Sequence, residues 1–181
     1  MDIKTVGIVG AGTMGSGIAQ VAAQVAGMNV ILNDIKQEFV DRGLSAIDKN
    51  LERQVSKERI TADEKTTVLG RITASTDVAD MKDADYIIEA AIETLDLKLD
   101  LFKRLDEVCK PGVVLATNTS SISVTRIAAA TKRPDKVVGM HFFNPAQVMK
   151  LVEVVNGLAT SREATDATVE LAERFGKSPV E

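Results

Sequence analysis

The chain predicts a doubly wound α/β fold, a mostly parallel sheet covered by helices on both faces, and three observations predict it. Short apolar runs of strand length alternate with stretches of helical periodicity along the chain. The runs are near-continuously apolar, which requires burial on both faces and therefore helices on each side of a parallel sheet. A glycine-rich turn joins the first run to the first helical stretch.

In chain order, Val6–Val9 reads as the first strand and Met14–Ala26 as the helix that returns from it, followed by a strand at Val30–Asn33. The connection from Asn33 to Ile72 is too long for a single crossover. It predicts an inserted pair of antiparallel helices: Gln37–Ser56, a turn over Ser56-Lys57-Glu58-Arg59-Ile60-Thr61, and a second helix with Thr61 as its N-cap. Ile72–Ala74, Tyr86–Ala90, Val113–Thr117 and Val137–His141 are further strands, with helices at Leu95–Cys109 and Ser123–Ala129. The last segment offers a strand at Leu151–Val155, a helix at Glu163–Phe175 and a short strand around Pro179-Val180. With neither repeats nor an interdomain linker, residues 1–181 read as one domain.

Composition narrows the function. The chain is 45% hydrophobic and 27% charged, ordinary for a soluble globular domain. Its net charge of −4, with basic residues scattered, predicts no nucleic-acid partner. The single cysteine, Cys109, excludes an internal disulfide and suits a reducing, cytoplasmic setting. No apolar run has membrane-spanning length, and Lys4 leads at once into a strand rather than a signal peptide. There is no Cys/His cluster for a metal and no nucleophile beside a base, so metal and acyl-enzyme chemistry are not expected.

Gly10-Ala11-Gly12-Thr13-Met14-Gly15 matches G-x-G-x-x-G between a strand and a helix, the dinucleotide fingerprint of the Rossmann type. Gly10 permits the tight turn, Gly12 removes the Cβ that would meet a pyrophosphate, and Gly15 lets the helix close on the sheet. Backbone N–H groups at the helix start and its dipole would hold the phosphates. Asp34, directly after the second strand, stands where a carboxylate meets the adenosine ribose and repels a 2′-phosphate. That favours NAD over NADP, although Lys36, two positions on, offers a cation that could meet such a phosphate.

A second constellation lies later in the chain. His141, the sole histidine, ends a predicted parallel strand at the edge where open α/β sheets bind ligands. Glu153 interrupts the apolar run Leu151-Val152-Glu153-Val154-Val155, where an ionised carboxylate is costly without a partner. Two strands joined by Phe142–Lys150 and centred on Gln147 would set the pair opposite each other. A carboxylate on one ring nitrogen fixes the tautomer, so the pair reads either as a general base with its orienting group or as a structural ion pair. The polar cluster Thr117-Asn118-Thr119-Ser120-Ser121-Ile122 places hydroxyls and an amide at the same edge, while Ser121 or Ser123 suits a helix N-cap.

Four segments carry a family resemblance: GAGTMGSGIA at Gly10–Ala19, DYIIEAAIE at Asp85–Glu93, NTSSI at Asn118–Ile122 and GMHFFNPAQVMKLVEVV at Gly139–Val155. Together they resemble the 3-hydroxyacyl-CoA dehydrogenase family, bacterial 3-hydroxybutyryl-CoA dehydrogenases in particular, from Ile3 to Val180. The resemblance implies reversible, NAD-dependent oxidation of 3-hydroxybutyryl-CoA, a short-chain 3-hydroxyacyl-CoA, to acetoacetyl-CoA. His141 would take the 3-hydroxyl proton, Glu153 would pair with His141, and Ser120 would hydrogen-bond the reacting oxygen. Ala90, Glu93, Lys98, Asn118 and Asn144 match positions around the cofactor's ribose and nicotinamide. Lys57, otherwise a solvated surface lysine, matches one that approaches CoA, whose phosphates favour an ammonium.

The chain departs from the family's pattern in two places: Gln147 stands where many relatives have proline, and Thr94-Leu95 varies the residues usual after Glu93. Relatives continue into a helical domain that supplies dimer contacts and the far wall of the acyl pocket. The expectation is therefore an isolated NAD-binding domain whose parent is a homo-oligomer. Two alternatives accompany it: a cofactor-binding module inactive by itself, or a related dehydrogenase acting on a sugar acid or carnitine.

Overall fold

Each apolar run pairs with a neighbour. In the computed structural model, which describes residues 2–181, the strands are β1 (Thr5–Val9), β2 (Asn29–Asn33), β3 (Ile72–Ser75), β4 (Tyr86–Glu89), β5 (Val114–Thr117), β6 (Val137–Phe142), β7 (Leu151–Asn156) and β8 (Ser178–Val180). They form one sheet in the order β3-β2-β1-β4-β5-β6-β7-β8. Every pairing is parallel except β6 with β7. The strand order reverses between β1 and β4, the switch point at which open α/β sheets form a ligand crevice outside the carboxyl ends of their strands.

Helices α1 (Thr13–Gln24), α2 (Gln37–Ser56), α3 (Ala62–Gly70) and α6 (Arg162–Arg174) cover one face, α4 (Leu95–Val108) and α5 (Val124–Ala128) the other. Alternation along each strand divides the core accordingly. Val6, Ile8, Tyr86, Ile88, Val138 and Met140 pack under α1 and α6, while Val9, Ile87, Leu115 and Val137 pack under α4 and α5. Each such aliphatic side chain, fully buried, contributes about 1.5–3 kcal/mol relative to exposure.

The inserted pair forms as its turn signals predict. Thr61 caps α3: its Oγ1 accepts from Glu64 N–H at 3.1 Å, while Glu64 Oε2 accepts from Thr61 N–H at 2.7 Å. The 3₁₀ helix at Val78–Asp83 is an element that periodicity does not foresee. It is too short to display a period, and Asp77 starts it by accepting from Ala79 N–H. Among the described residues no helix is long and apolar enough to cross a membrane.

Register lines up polar residues beneath the crevice. Val9 pairs with both Asn33 and Glu89, Asn33 with Ser75, Glu89 with Thr117, and Thr117 with Gly139. Asn33, Ser75, Glu89 and Thr117 thus form a buried polar row at the carboxyl edge of the sheet.

Candidate cofactor and active site

The turn from β1 into α1 is shaped by close approach. Gly10 adopts φ +103°, and a Cβ there would lie 2.5 Å from the Ala90 carbonyl oxygen. A Cβ on Gly15 would lie 1.7 Å from the Gly10 carbonyl oxygen. Gly12 differs: a Cβ there would meet nothing within 4 Å. The protein itself therefore leaves the space before Gly12 open. Gly12 provides no side-chain cap for α1, and the first intrahelical bond runs from Ser16 N–H to the Gly12 carbonyl. The amides of Thr13, Met14 and Gly15 consequently face this space at the positive end of the helix dipole, as an anionic pyrophosphate requires. At the tip of β2, Asp34 accepts from Ala11 N–H and Ile35 N–H, each at 2.7 Å, which ties the glycine turn to the end of β2.

Across the switch point, β4 ends in Glu89, a carboxylate with no exposed surface. It accepts from Lys98 Nζ at 2.5 Å, Thr117 Oγ1 at 2.7 Å and Ala91 N–H at 2.7 Å. Lys98, on α4 and 1% exposed, also lies 3.3 Å from Glu93 Oε2. Glu93 Oε1 in turn accepts from the Thr119 hydroxyl, from Ser120 N–H at 3.2 Å and from Ser121 Oγ at 3.4 Å. Burial would push the Glu93 carboxyl up, but the Thr119 hydroxyl and Lys98 outweigh it and hold the group below its ordinary range.

His141 and Glu153 face each other across the antiparallel β6–β7 pair, with Nδ1 2.8 Å from Oε2. Because Glu153 engages Nδ1, Nε2 is the nitrogen left for a ligand. The Phe143 ring packs at 4.7 Å, centroid to centroid, against the imidazole. Asn118 Oδ1 accepts from Phe142 N–H at 2.8 Å, tying the end of β5 to the strand that carries His141. Ser120, Ser123, Thr125, His141 and Glu153 line one groove of about 280 Å³. The loop after β6 is clamped from below by Lys177, which donates to the carbonyls of Ala146 at 2.5 Å and Met149 at 2.8 Å. Burial, then the neighbouring Lys150, lowers the Lys177 pKa.

Residues 5–181 match the family described as 3-hydroxyacyl-CoA dehydrogenase, NAD binding domain. The chain belongs to that family. It is 48% identical over 174 residues to a 3-hydroxybutyryl-CoA dehydrogenase of Clostridioides difficile, covering 96% of this chain and 62% of that protein. The crystal structure of (S)-3-hydroxybutyryl-CoA dehydrogenase from Ralstonia eutropha is similar with a TM-score of 0.96 at 47% identity, over 99% of this chain and 63% of that one. A 3-hydroxybutyryl-CoA dehydrogenase structure from Escherichia coli K12 gives 0.97 at 48% identity, over 99% and 38%. The chain spans a little under two thirds of the Clostridioides difficile protein and of the Ralstonia eutropha chain. NAD is the family's cofactor, and the open space at Gly12, the free helix amides and Asp34 fit it.

The fold brings most of the predicted residues of this NAD-binding domain to one edge. Gly10, Gly12, Thr13, Met14, Gly15, Asp34 and Ala90 surround the glycine turn, and Ser120, His141 and Glu153 share a groove. Asn118 and Glu93 connect to that groove through the bonds above, and Asn144 stands exposed in the β6–β7 loop. Lys57 lies elsewhere, at the end of α2, lining a larger cleft of about 780 Å³ with Arg53, Arg59 and Arg71. Lys98 is held away from solvent, its ammonium buried between Glu89 and Glu93. Thr117 and Thr119 of the polar cluster bond Glu89 and Glu93, while Glu89 and Lys177 join the site without having been singled out by sequence pattern. Glu89 carries a readable signal, a lone carboxylate ending an apolar strand, the same signal that singles out Glu153.

Proposed function

We propose that this chain carries out the NAD-dependent step of a 3-hydroxyacyl-CoA dehydrogenase, interconverting a short-chain 3-hydroxyacyl-CoA such as 3-hydroxybutyryl-CoA with its 3-keto form. The observation that carries the reading is the His141–Glu153 bond inside the groove that also holds Ser120. In the oxidative direction the substrate's O–H bond breaks toward His141 Nε2 and the C3–O bond becomes double. NAD, when bound, supplies the acceptor for the hydride that leaves C3. Glu153 holds the imidazole's tautomer and balances the charge it gains with the proton. The Ser120 hydroxyl donates to the reacting oxygen as negative charge develops on it.

Lys57, with Arg53 and Arg59 beside it, offers cations to the phosphates of CoA. Asp34 favours a free 2′-hydroxyl, hence NAD over NADP.

The groove is shallow: Ser120 is exposed, and the Glu153 side chain keeps 47% of its surface. Substrate positioning supplies much of the barrier lowering in such reactions, so cofactor binding with slow turnover is the expected behaviour of this chain. Titration with NADH and NADPH, followed by NADH oxidation with acetoacetyl-CoA, tests the whole reading. Tight NADH binding, weak NADPH binding and CoA-dependent oxidation support it. Equal oxidation of NADH by a keto acid lacking CoA would refute the substrate class, and absence of NADH binding would refute the cofactor site.

A further inference from the structure

Glu89 and Lys98 take no part in the chemistry above, yet they are the most deeply buried charges among the described residues, with 0% and 1% exposure. A buried ion pair is a poor device for stability alone, because desolvation offsets most of its attraction. Its connections point elsewhere. One Glu89 oxygen accepts from both Lys98 and Ala91 N–H, while the other accepts from Thr117 on the neighbouring strand. Lys98 also donates to the Ala91 carbonyl at 3.3 Å, so the pair holds both main-chain groups of Ala91. The segment it fixes runs from Ala90, which abuts Gly10, to Glu93, which accepts from Ser120 N–H.

We propose that Glu89 is a positioning residue: acting through Lys98 and Ala91, it sets the 90–93 loop so that Glu93 holds Ser120 at the His141 groove and the loop borders the nucleotide cradle. The inference rests on the proposed function of that groove. Glu89 touches neither substrate nor cofactor, and its influence passes along hydrogen bonds whose far end is the Ser120 amide.

The single substitution Glu89→Gln strands a buried ammonium and can unfold the chain for that reason alone. The informative variant is therefore Glu89→Gln/Lys98→Met, which removes both charges together. Three measurements on the parent and the double variant decide the matter: the melting temperature, amide hydrogen exchange at Ala91 and Ser120 against Ile87 and Ile88 in β4, and NADH affinity. The expected result is a melting temperature close to the parent's with β4 protection retained. Exchange at Ala91 and Ser120 speeds up, and the NADH Kd rises about tenfold or more, the size of effect that losing an outer orienting partner has at metal sites.

Parent-like exchange and affinity in a folded double variant would overturn the proposal, leaving the pair as packing. A double variant that fails to fold would do the same, since the pair would then be structural. Failure of the parent itself to bind NADH would strike the proposed function instead, and the exchange rates would still decide whether Glu89 positions the loop.

Discussion

His141 and Glu153 occupy opposed positions on β6 and β7, and the bond between Nδ1 and Oε2 is 2.8 Å long. Glu153→Gln preserves the shape of that contact while removing the charge that balances a protonated imidazole. An amide also fits either tautomer, so Nε2 is no longer reserved as the acceptor. Acetoacetyl-CoA-dependent NADH oxidation is expected to fall about 10²- to 10⁴-fold relative to the parent chain, the range spanned by general acid–base contributions. NADH affinity should stay unchanged, because neither side chain belongs to the nucleotide cradle. A variant that turns over at the parental rate would remove His141 from the role of proton acceptor.

The glycines of the first turn separate stability from binding. Gly12 has ordinary φ (−70°), and a Cβ there would meet no atom within 4 Å. It is also the N-cap of α1 without a side-chain acceptor. Gly12→Ser supplies that acceptor, so the melting temperature should hold or rise slightly. The same side chain projects into the pyrophosphate space, and NADH affinity should drop by about tenfold or more. Gly15→Ala is the opposite case: its Cβ would lie 1.7 Å from backbone oxygen, and the variant should be strongly destabilised with or without cofactor. Calorimetry and fluorescence titration on the two variants check the contrast. Unchanged NADH binding by Gly12→Ser would place the pyrophosphate elsewhere.

Sequence pattern reveals the features that local forces determine. Strands such as Val6–Val9 and Tyr86–Glu89 are legible because a run buried on both faces must be apolar, whatever its neighbours. The β6–β7 pair is legible because Glu153 is costly among valines and its distance from His141 suits a hairpin about Gln147. Lys98 is not. In the amphipathic helix Leu95–Val108 it has the same local appearance as the exposed Lys103, and its burial depends on Glu89 arriving from another strand. Lys177 is a similar case, since its partners are carbonyls in the loop after β6. Register decides such contacts, and register between distant strands leaves no mark in a short window of sequence.

The turn that presents Lys57 holds backbone strain. α2 ends in a Schellman arrangement: Arg59 N–H bonds the Gln54 carbonyl and Glu58 N–H the Val55 carbonyl, both at 2.9 Å. The position that must turn left-handed is Glu58, with φ +55°, and it is the one non-glycine residue with positive φ among those described. A side chain there costs about 1–2 kcal/mol relative to glycine. Glu58→Gly should therefore stabilise the chain by about 1 kcal/mol after the entropy of the freer unfolded state is deducted. In a domain of this size that is a rise of about 2–4 °C in melting temperature. A lower melting temperature would mean that the Glu58 side chain makes an interaction outweighing its backbone.

Acid should loosen the loop between β4 and α4 through Glu93. Its folded pKa lies below the ordinary 4.5 because the Thr119 hydroxyl, Lys98 and Ser120 N–H together outweigh the effect of burial. A depressed carboxyl pKa means that the unfolded chain binds the proton more readily. Glu93 thus contributes stability that is fully present above about pH 4.5 and is lost as pH falls through its lower folded value. Urea midpoints between about pH 3 and 6 should decline on the acid side for the parent, as such linkage requires. The decline should be shallower in Glu93→Gln, which has no proton to take up at that position. The amide also loses the ion pair with Lys98 at every pH, so the variant should begin from a lower midpoint near neutrality. Parallel acid slopes in the two proteins would show that the contacts around Glu93 persist in the unfolded chain or are too weak to shift its titration.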